Sequence, residues 1–170
     1  GLLMEIVTRP QPREEPVVDK GGRFAAVILA AGRSTRMGGP NKLLAQITGR
    51  PLARIAAEAA LASKARPVVV VTGHQSETIA EALRDLPLQF AYNPDFADGL
   101  STSLRTGLAA LPDDIDGAVV MLADMPRVDG ALIDRLMSAY DSEKGALIAV
   151  PVIDGKRGNP VLLPRALFGK

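Results

Sequence analysis

Cysteine is absent from the 170 residues, and histidine occurs once. Together these shortages exclude disulfides, thiolate catalysis and zinc–thiolate centres, and leave no nitrogen/sulfur cluster for a softer metal. Any metal used is then a hard, oxygen-liganded ion such as magnesium. An excess of one charge is lacking too. Lys and Arg number 20 against 19 Asp and Glu, a formal net charge of +1, which gives no reason to expect a nucleic-acid or anionic-membrane partner. No signal peptide and no apolar run of about 18 or more residues is present, so the expected location is the cytoplasm. Apolar residues, by contrast, make up 47% of the chain, enough for one domain with a sizeable core.

Residues 1–22 differ from the rest. Pro10, Pro12 and Pro16 and alternating charges leave no periodic apolar face, so this stretch reads as a linker or the tail of an upstream domain. Leu2, Leu3, Met4, Ile6 and Val7 are too apolar for a pure linker and suit the last strand of a preceding domain. Residues 23–170 form the main domain. Apolar runs suited to buried parallel strands occur at Phe24–Leu29, Val68–Val71, Ala118–Leu122 and Ala146–Val150, with shorter candidates at Leu88–Ala91 and Val161–Leu163. Helical patterns lie between them: Leu52, Ile55, Ala56, Ala59 and Ala60; then Ile79, Ala82 and Leu83; then a stripe of Leu100, Leu104, Leu108 and Leu111. A fourth helix, capped by Asp129, carries Leu132, Ile133, Leu136, Met137 and Tyr140. This alternation predicts an α/β fold of three layers, a doubly wound, mostly parallel sheet with helices on both faces.

In such sheets ligands bind beyond the carboxyl ends of the strands. The first strand runs into Leu29-Ala30-Ala31-Gly32-Arg33-Ser34-Thr35-Arg36-Met37-Gly38-Gly39-Pro40-Asn41-Lys42. Small residues there let backbone N–H groups approach a polyphosphate, and the cations offset its charge. The spacing is not that of a P-loop, because Leu43 follows Lys42, and the dinucleotide fingerprint Gly-x-Gly-x-x-Gly is absent. The competing description is a glycine-rich turn with solvated charges. The second strand ends in Thr72-Gly73-His74 and the third in Ala123-Asp124-Met125-Pro126, so three polar or glycine-bearing segments converge on one edge.

Asp124 closes a strongly apolar run, where a carboxylate is costly unless paired or metal-bound. It can hold magnesium together with phosphate oxygens, or it can cap the turn before Pro126. Arg36 and Lys42 suit the β- and γ-phosphates and the charge growing on a leaving pyrophosphate; Arg33 either joins them or is solvated. His74 reads better as a strand-end residue than as a general base, having no acidic partner nearby in sequence. Asn93-Pro94 to Gly99-Leu100-Ser101-Thr102-Ser103 leads into a helix N-terminus, where Ser101 can cap the helix, meet a base or phosphate, or do both. Lys156-Arg157-Gly158-Asn159-Pro160 is a basic turn for a phosphorylated acceptor, or an exposed hairpin turn.

These motifs, Leu29-Ala30-Ala31-Gly32, Arg36-Met37-Gly38 and Lys42, Asn93-Pro94 with Gly99 to Ser103, Leu122 to Pro126, and Arg157-Gly158-Asn159-Pro160-Val161, resemble the nucleotidyltransferases of molybdenum-cofactor maturation across about Phe24 to Leu163. Within that group, Ala31 and Ala-Asp-Met-Pro resemble the cytidylyltransferases; the guanylyltransferases typically carry a second glycine in place of Ala31. The resemblance implies transfer of CMP from CTP to the terminal phosphate of molybdopterin with loss of pyrophosphate. It implies that Leu29, Ala30, Ala31, Gly32, Arg33, Thr72, Gly73 and Gly99 bind the nucleotide, with Arg36 and Lys42 on the triphosphate. Ser101 and Ser103 would lie at the base or ribose, Asp124 on Mg2+, and Arg157, Gly158 and Asn159 near the pterin. The alternatives are GTP as donor, a sugar phosphate or methylerythritol phosphate as acceptor, or a non-catalytic nucleotide- or cofactor-binding module. Members of the group continue past the position of Lys170 to a second metal-binding aspartate, so a domain truncated at its carboxyl end is expected. The arm from Leu2 to Arg13 resembles the end of a molybdopterin-binding domain fused upstream in some relatives.

Overall fold

The computed structural model describes residues 3–7, 23–30, 46–47, 50–73, 76–123, 128–138, 148–153, 156–157, 160–165 and 168. Val27, Ile28 and four valines in a row at 68–71 favour extended backbone, and they form two adjacent buried strands, β2 (Phe24–Ala30) and β5 (Val68–Thr72). Every residue of both strands is buried, which is why they read as unbroken apolar runs without alternation. In chain order the other strands are β1 (Leu3–Val7), β3 (Gln46–Ile47), β4 (Arg50–Pro51), β6 (Gln89–Tyr92), β7 (Gly117–Leu122), β8 (Ile148–Ile153), β9 (Lys156–Arg157) and β10 (Val161–Pro164). The main sheet runs β1-β8-β10-β7-β2-β5-β6, with β9 paired to β8 and a separate β3–β4 ladder.

β7, β2, β5 and β6 pair in parallel. β10 is antiparallel to both β7 and β8, so β8 runs the same way as β7 without touching it. Five strands therefore share one direction, and the expected mostly parallel α/β sheet is present. β10 is the insertion that sequence periodicity did not orient. The arm read at residues 1–22 holds a strand of this same sheet: Leu3–Val7 pairs antiparallel with β8 from Leu3↔Val152 to Val7↔Ile148.

Helices α1 (Leu52–Ala62), α2 (Ser76–Leu83) and α4 (Gly130–Ser138) cover one face of the sheet, and α3 (Leu100–Ala109) covers the other. The buried face of α1 is Leu52, Ala53, Ala56, Ala57 and Ala60. Ile55 and Ala59, expected on it, are half-buried; the alanines allow a closer approach to the sheet than the bulkier residue does. The α3 stripe is buried at Leu108 and, just past the helix, Leu111 but leaves Leu100 54% exposed. At the other end of α1, the Arg66 guanidinium donates to the carbonyls of Leu61, Ser63 and Ala65, a favourable place for a cation. Arg54 on α1 grips Asp85 through two bonds of 2.7 and 2.8 Å, and that guanidinium holds the Asp85 carboxyl at about 2, below its ordinary value.

The expected cap of α4 is formed: Asp129 Oδ1 accepts from the Leu132 N–H at 2.8 Å. Asp129→Ala is expected to cost about 1 kcal/mol of unfolding free energy, and Asp129→Ser to restore most of it. Chemical denaturation of the three proteins checks this; equal stability of all three would remove the cap from the account.

Candidate active site at the carboxyl edge of the sheet

Strand register sets the level at which the strands end. Ala30 pairs with Thr72, and Thr72 with Tyr92. One step earlier, Leu29 pairs with Leu122. Two further bonds close the edge, Ala123 N–H to Leu29 O at 3.2 Å and Asn93 N–H to Thr72 O at 2.7 Å. Thus β2, β5, β6 and β7 stop at one level, and the chain segments that follow them depart from there. The sequence predicted three such segments; β6 adds a fourth, the one beginning at Asn93.

The basic segment reaches the same level from farther away. Leu162 pairs with Val119 on one side and Ala149 on the other. Val152 lies three residues beyond Ala149, as Leu122 lies three beyond Val119. Arg157, paired with Val152, therefore stands level with the end of β7. It is strand backbone in a β8–β9 hairpin, where a turn was expected at this point. Three strand spacings separate β8 from β2, about 14 Å.

Leu29 and Ala30 are 6% and 0% exposed, so their side chains belong to the core and only their main chain can face a ligand. Thr72 is 3% exposed, and its hydroxyl finds no partner among the described residues. A buried hydroxyl without a bond costs about 1–3 kcal/mol. Gly73 is buried under Phe96: a Cβ there would fall 2.5 Å from Phe96 Cβ. Ala31, Gly32, Arg33, Arg36, Lys42, His74, Asp124, Gly158 and Asn159 lie outside the described residues. So do the rest of residues 31–45 and the residues directly after Ala123.

Gly99 opens α3 with φ 121° and ψ 168° and without a side-chain cap, a conformation open to glycine and strained for other residues. Ser101 is exposed in the first turn. Ser103 is 2% exposed and accepts from Asn93 Nδ2 at 2.9 Å. The two serines, expected together at the base or ribose, thus divide: Ser101 faces outward and Ser103 holds the loop. Asn93 is the residue whose role the sequence left unassigned. Its signal was local, an Asn whose carbonyl accepts from the N–H two residues on; here Oδ1 accepts from Asp95 N at 2.9 Å. Tyr92, 56% exposed at the end of the Ala30–Thr72–Tyr92 row, carried no comparable signal.

Residues 26–170 match the family described as MobA-like NTP transferase domain. A probable molybdenum cofactor guanylyltransferase from Natronomonas pharaonis is 35% identical over 126 residues, covering 74% of this chain and 61% of that protein. The bifunctional protein GlmU of Mycolicibacterium vanbaalenii is 36% identical over 129 residues, 72% of this chain but 26% of its own length. The chain therefore spans about a quarter of one curated relative and under two thirds of the other. Among solved structures, a nucleotidyl transferase from Methanothermobacter thermautotroptrophicus superposes with a TM-score of 0.76 at 25% identity, covering 86% of this chain and 74% of that one. The sheet order, the level strand ends and these matches agree: this chain carries a nucleotidyltransferase fold and belongs to the family of MobA-like NTP transferase domains.

Proposed function

We propose that this domain transfers CMP from CTP to the terminal phosphate of molybdopterin, releasing pyrophosphate. The observation that carries the reading is the single level at which β2, β5, β6 and β7 end. It gathers the starts of the glycine- and cation-bearing loop, Gly73, the Asn93–Ser103 segment and the Asp124 segment onto one edge. The triphosphate would lie over the end of β2, with Arg36 and Lys42 offsetting the charge that grows on the β- and γ-phosphates. Ser101 is the described side chain offered to the base or ribose. A phosphate oxygen of the acceptor attacks the α-phosphorus, the α–β bridging bond breaks opposite it, and the leaving pyrophosphate takes the electron pair. No general base is required, because the nucleophile is already an anion. The acceptor would approach from the side of Arg157, level with the strand ends.

The reading assigns a divalent cation to Asp124 at this edge. Asp124 follows Ala123, which is bonded to the end of β2 through Leu29 O, so a hard carboxylate would join the chain close to where the reading puts the triphosphate. Magnesium prefers one or two carboxylates plus substrate phosphates. Bound there, it would supply charge neutralisation to the triphosphate.

A second donor is favoured by one observation: the Natronomonas pharaonis relative is named a guanylyltransferase. CTP rests on Ala31, GTP on that relative. Incubation with Mg2+, molybdopterin and either nucleotide separates them by pyrophosphate release. The reading expects CTP to be used at least about tenfold better in kcat/KM. Preference for GTP overturns the donor, and release only with a sugar phosphate or methylerythritol phosphate overturns the acceptor. Lys42→Ala is expected to raise the KM for the donor about tenfold or more, the loss of a charged hydrogen bond; an unchanged KM removes Lys42 from the triphosphate.

A further inference from the structure

Asn93 is 1% exposed, and its N–H and both polar atoms of its side chain are bonded. Its N–H donates to Thr72 O at 2.7 Å, fastening the end of β5. Its Oδ1 accepts from Asp95 N at 2.9 Å, shaping the turn that leads through Phe96–Asp98 to Gly99. Its Nδ2 donates to Thr102 Oγ1 and Ser103 Oγ, both at 2.9 Å, on the first turn of α3. Thr102 Oγ1 in turn lies 2.7 Å from Gly99 O and 3.0 Å from Asp95 O. One buried amide therefore ties a strand end, a turn and a helix start into one unit, and that unit carries Ser101 on its outer side.

We infer that Asn93 is a positioning residue for nucleotide binding: its clamp on Thr102 and Ser103 sets where Ser101 and the α3 first turn stand above the ends of β5 and β6. The inference rests on the proposed reading that Ser101 meets the base or ribose. Buried amide networks of this kind are fully satisfied or costly, so truncating Asn93 leaves two hydroxyls and one N–H to find new partners. The first turn of α3 then shifts, while the end of β2 keeps its own ladder pairing with β5 and β7.

The two halves of the nucleotide give the test. CTP needs both the loop after β2 and the α3 start; inorganic pyrophosphate needs the loop alone. Calorimetric titration of the chain in Mg2+ is expected to show CTP binding weakened about tenfold in Asn93→Ala and about threefold in Ser103→Ala, the range of one or two lost hydrogen bonds. Pyrophosphate affinity should stay within about twofold in both. Should Asn93→Ala not fold, Ser103→Ala, which removes one partner and keeps the amide, carries the comparison. Equal weakening of CTP and pyrophosphate would show general damage and overturn the inference, as would unchanged CTP affinity in the folded variants. A wild-type chain that binds neither CTP nor GTP would overturn the nucleotide reading itself. A chain that binds GTP in place of CTP leaves the inference standing, with GTP as the probe.

Discussion

Changing Asp124 to Asn is expected to lower nucleotidyl transfer at saturating Mg2+ by about a thousandfold, the scale lost when a preorganised charge-stabilising group is removed from a transition state. The substitution keeps size and one acceptor oxygen but removes the charge that pairs with a hard cation. The thermal midpoint should move by no more than a few degrees. This separation of effects follows from position. Ala118 to Met121 and Ala123 are almost wholly buried in the core, and Ala123 is held by its own N–H to Leu29 O, so the strand does not need the Asp124 carboxylate to end where it does. A fluorescence or calorimetric melt alongside the transfer assay reads both quantities. Wild-type rates would remove Asp124 from the metal. Unfolding of the variant would make it a structural cap, the other role its place before Met125-Pro126 allows.

Gly73→Ala is expected to destabilise the fold by about 1–3 kcal/mol, the cost of overpacking a filled site, or several degrees in thermal midpoint. The added Cβ would meet Phe96 at 2.5, 2.7 and 2.9 Å through Cβ, Cγ and Cδ1. Contact at Phe96 Cβ cannot be relieved by turning the ring, so backbone must move. The segment that moves runs Phe96–Asp98, then Gly99, then α3. Donor binding should therefore weaken together with stability, although residue 73 need touch no ligand. Thermal melts and CTP titrations on the same preparation test the pairing. Weaker CTP with an unchanged melt would instead make Gly73 a direct nucleotide contact and leave Phe96 an incidental neighbour.

The layers were legible because burial on both faces writes itself as uninterrupted apolar sequence: Phe24–Leu29 and Val68–Val71 could be little else. The cap at Asp129 was legible for an equally local reason. Long-range pairing was not. Nothing in Val161–Leu163 says that it enters the sheet between β7 and β8, and nothing in Leu3–Val7 says that it pairs with β8, because both facts depend on residues far away in sequence. Ser101 and Ser103 show the limit at smaller scale. Two residues along a helix are about 200° apart, so both hydroxyls cannot face one ligand, yet the sequence does not say which turns inward. Asn93 decides that, with Ser103 as its partner. At the site, the order of motifs was readable, and what the structure adds is their common level.

The most direct measurement follows the α-phosphate. The chain is incubated with Mg2+, molybdopterin and CTP labelled at the α-phosphorus, and the pterin product and pyrophosphate are separated and counted. The account predicts label in a cytosine dinucleotide form of molybdopterin, with one pyrophosphate released for each label transferred. Label that stays in CTP, or appears as free CMP without entering the pterin, would contradict it.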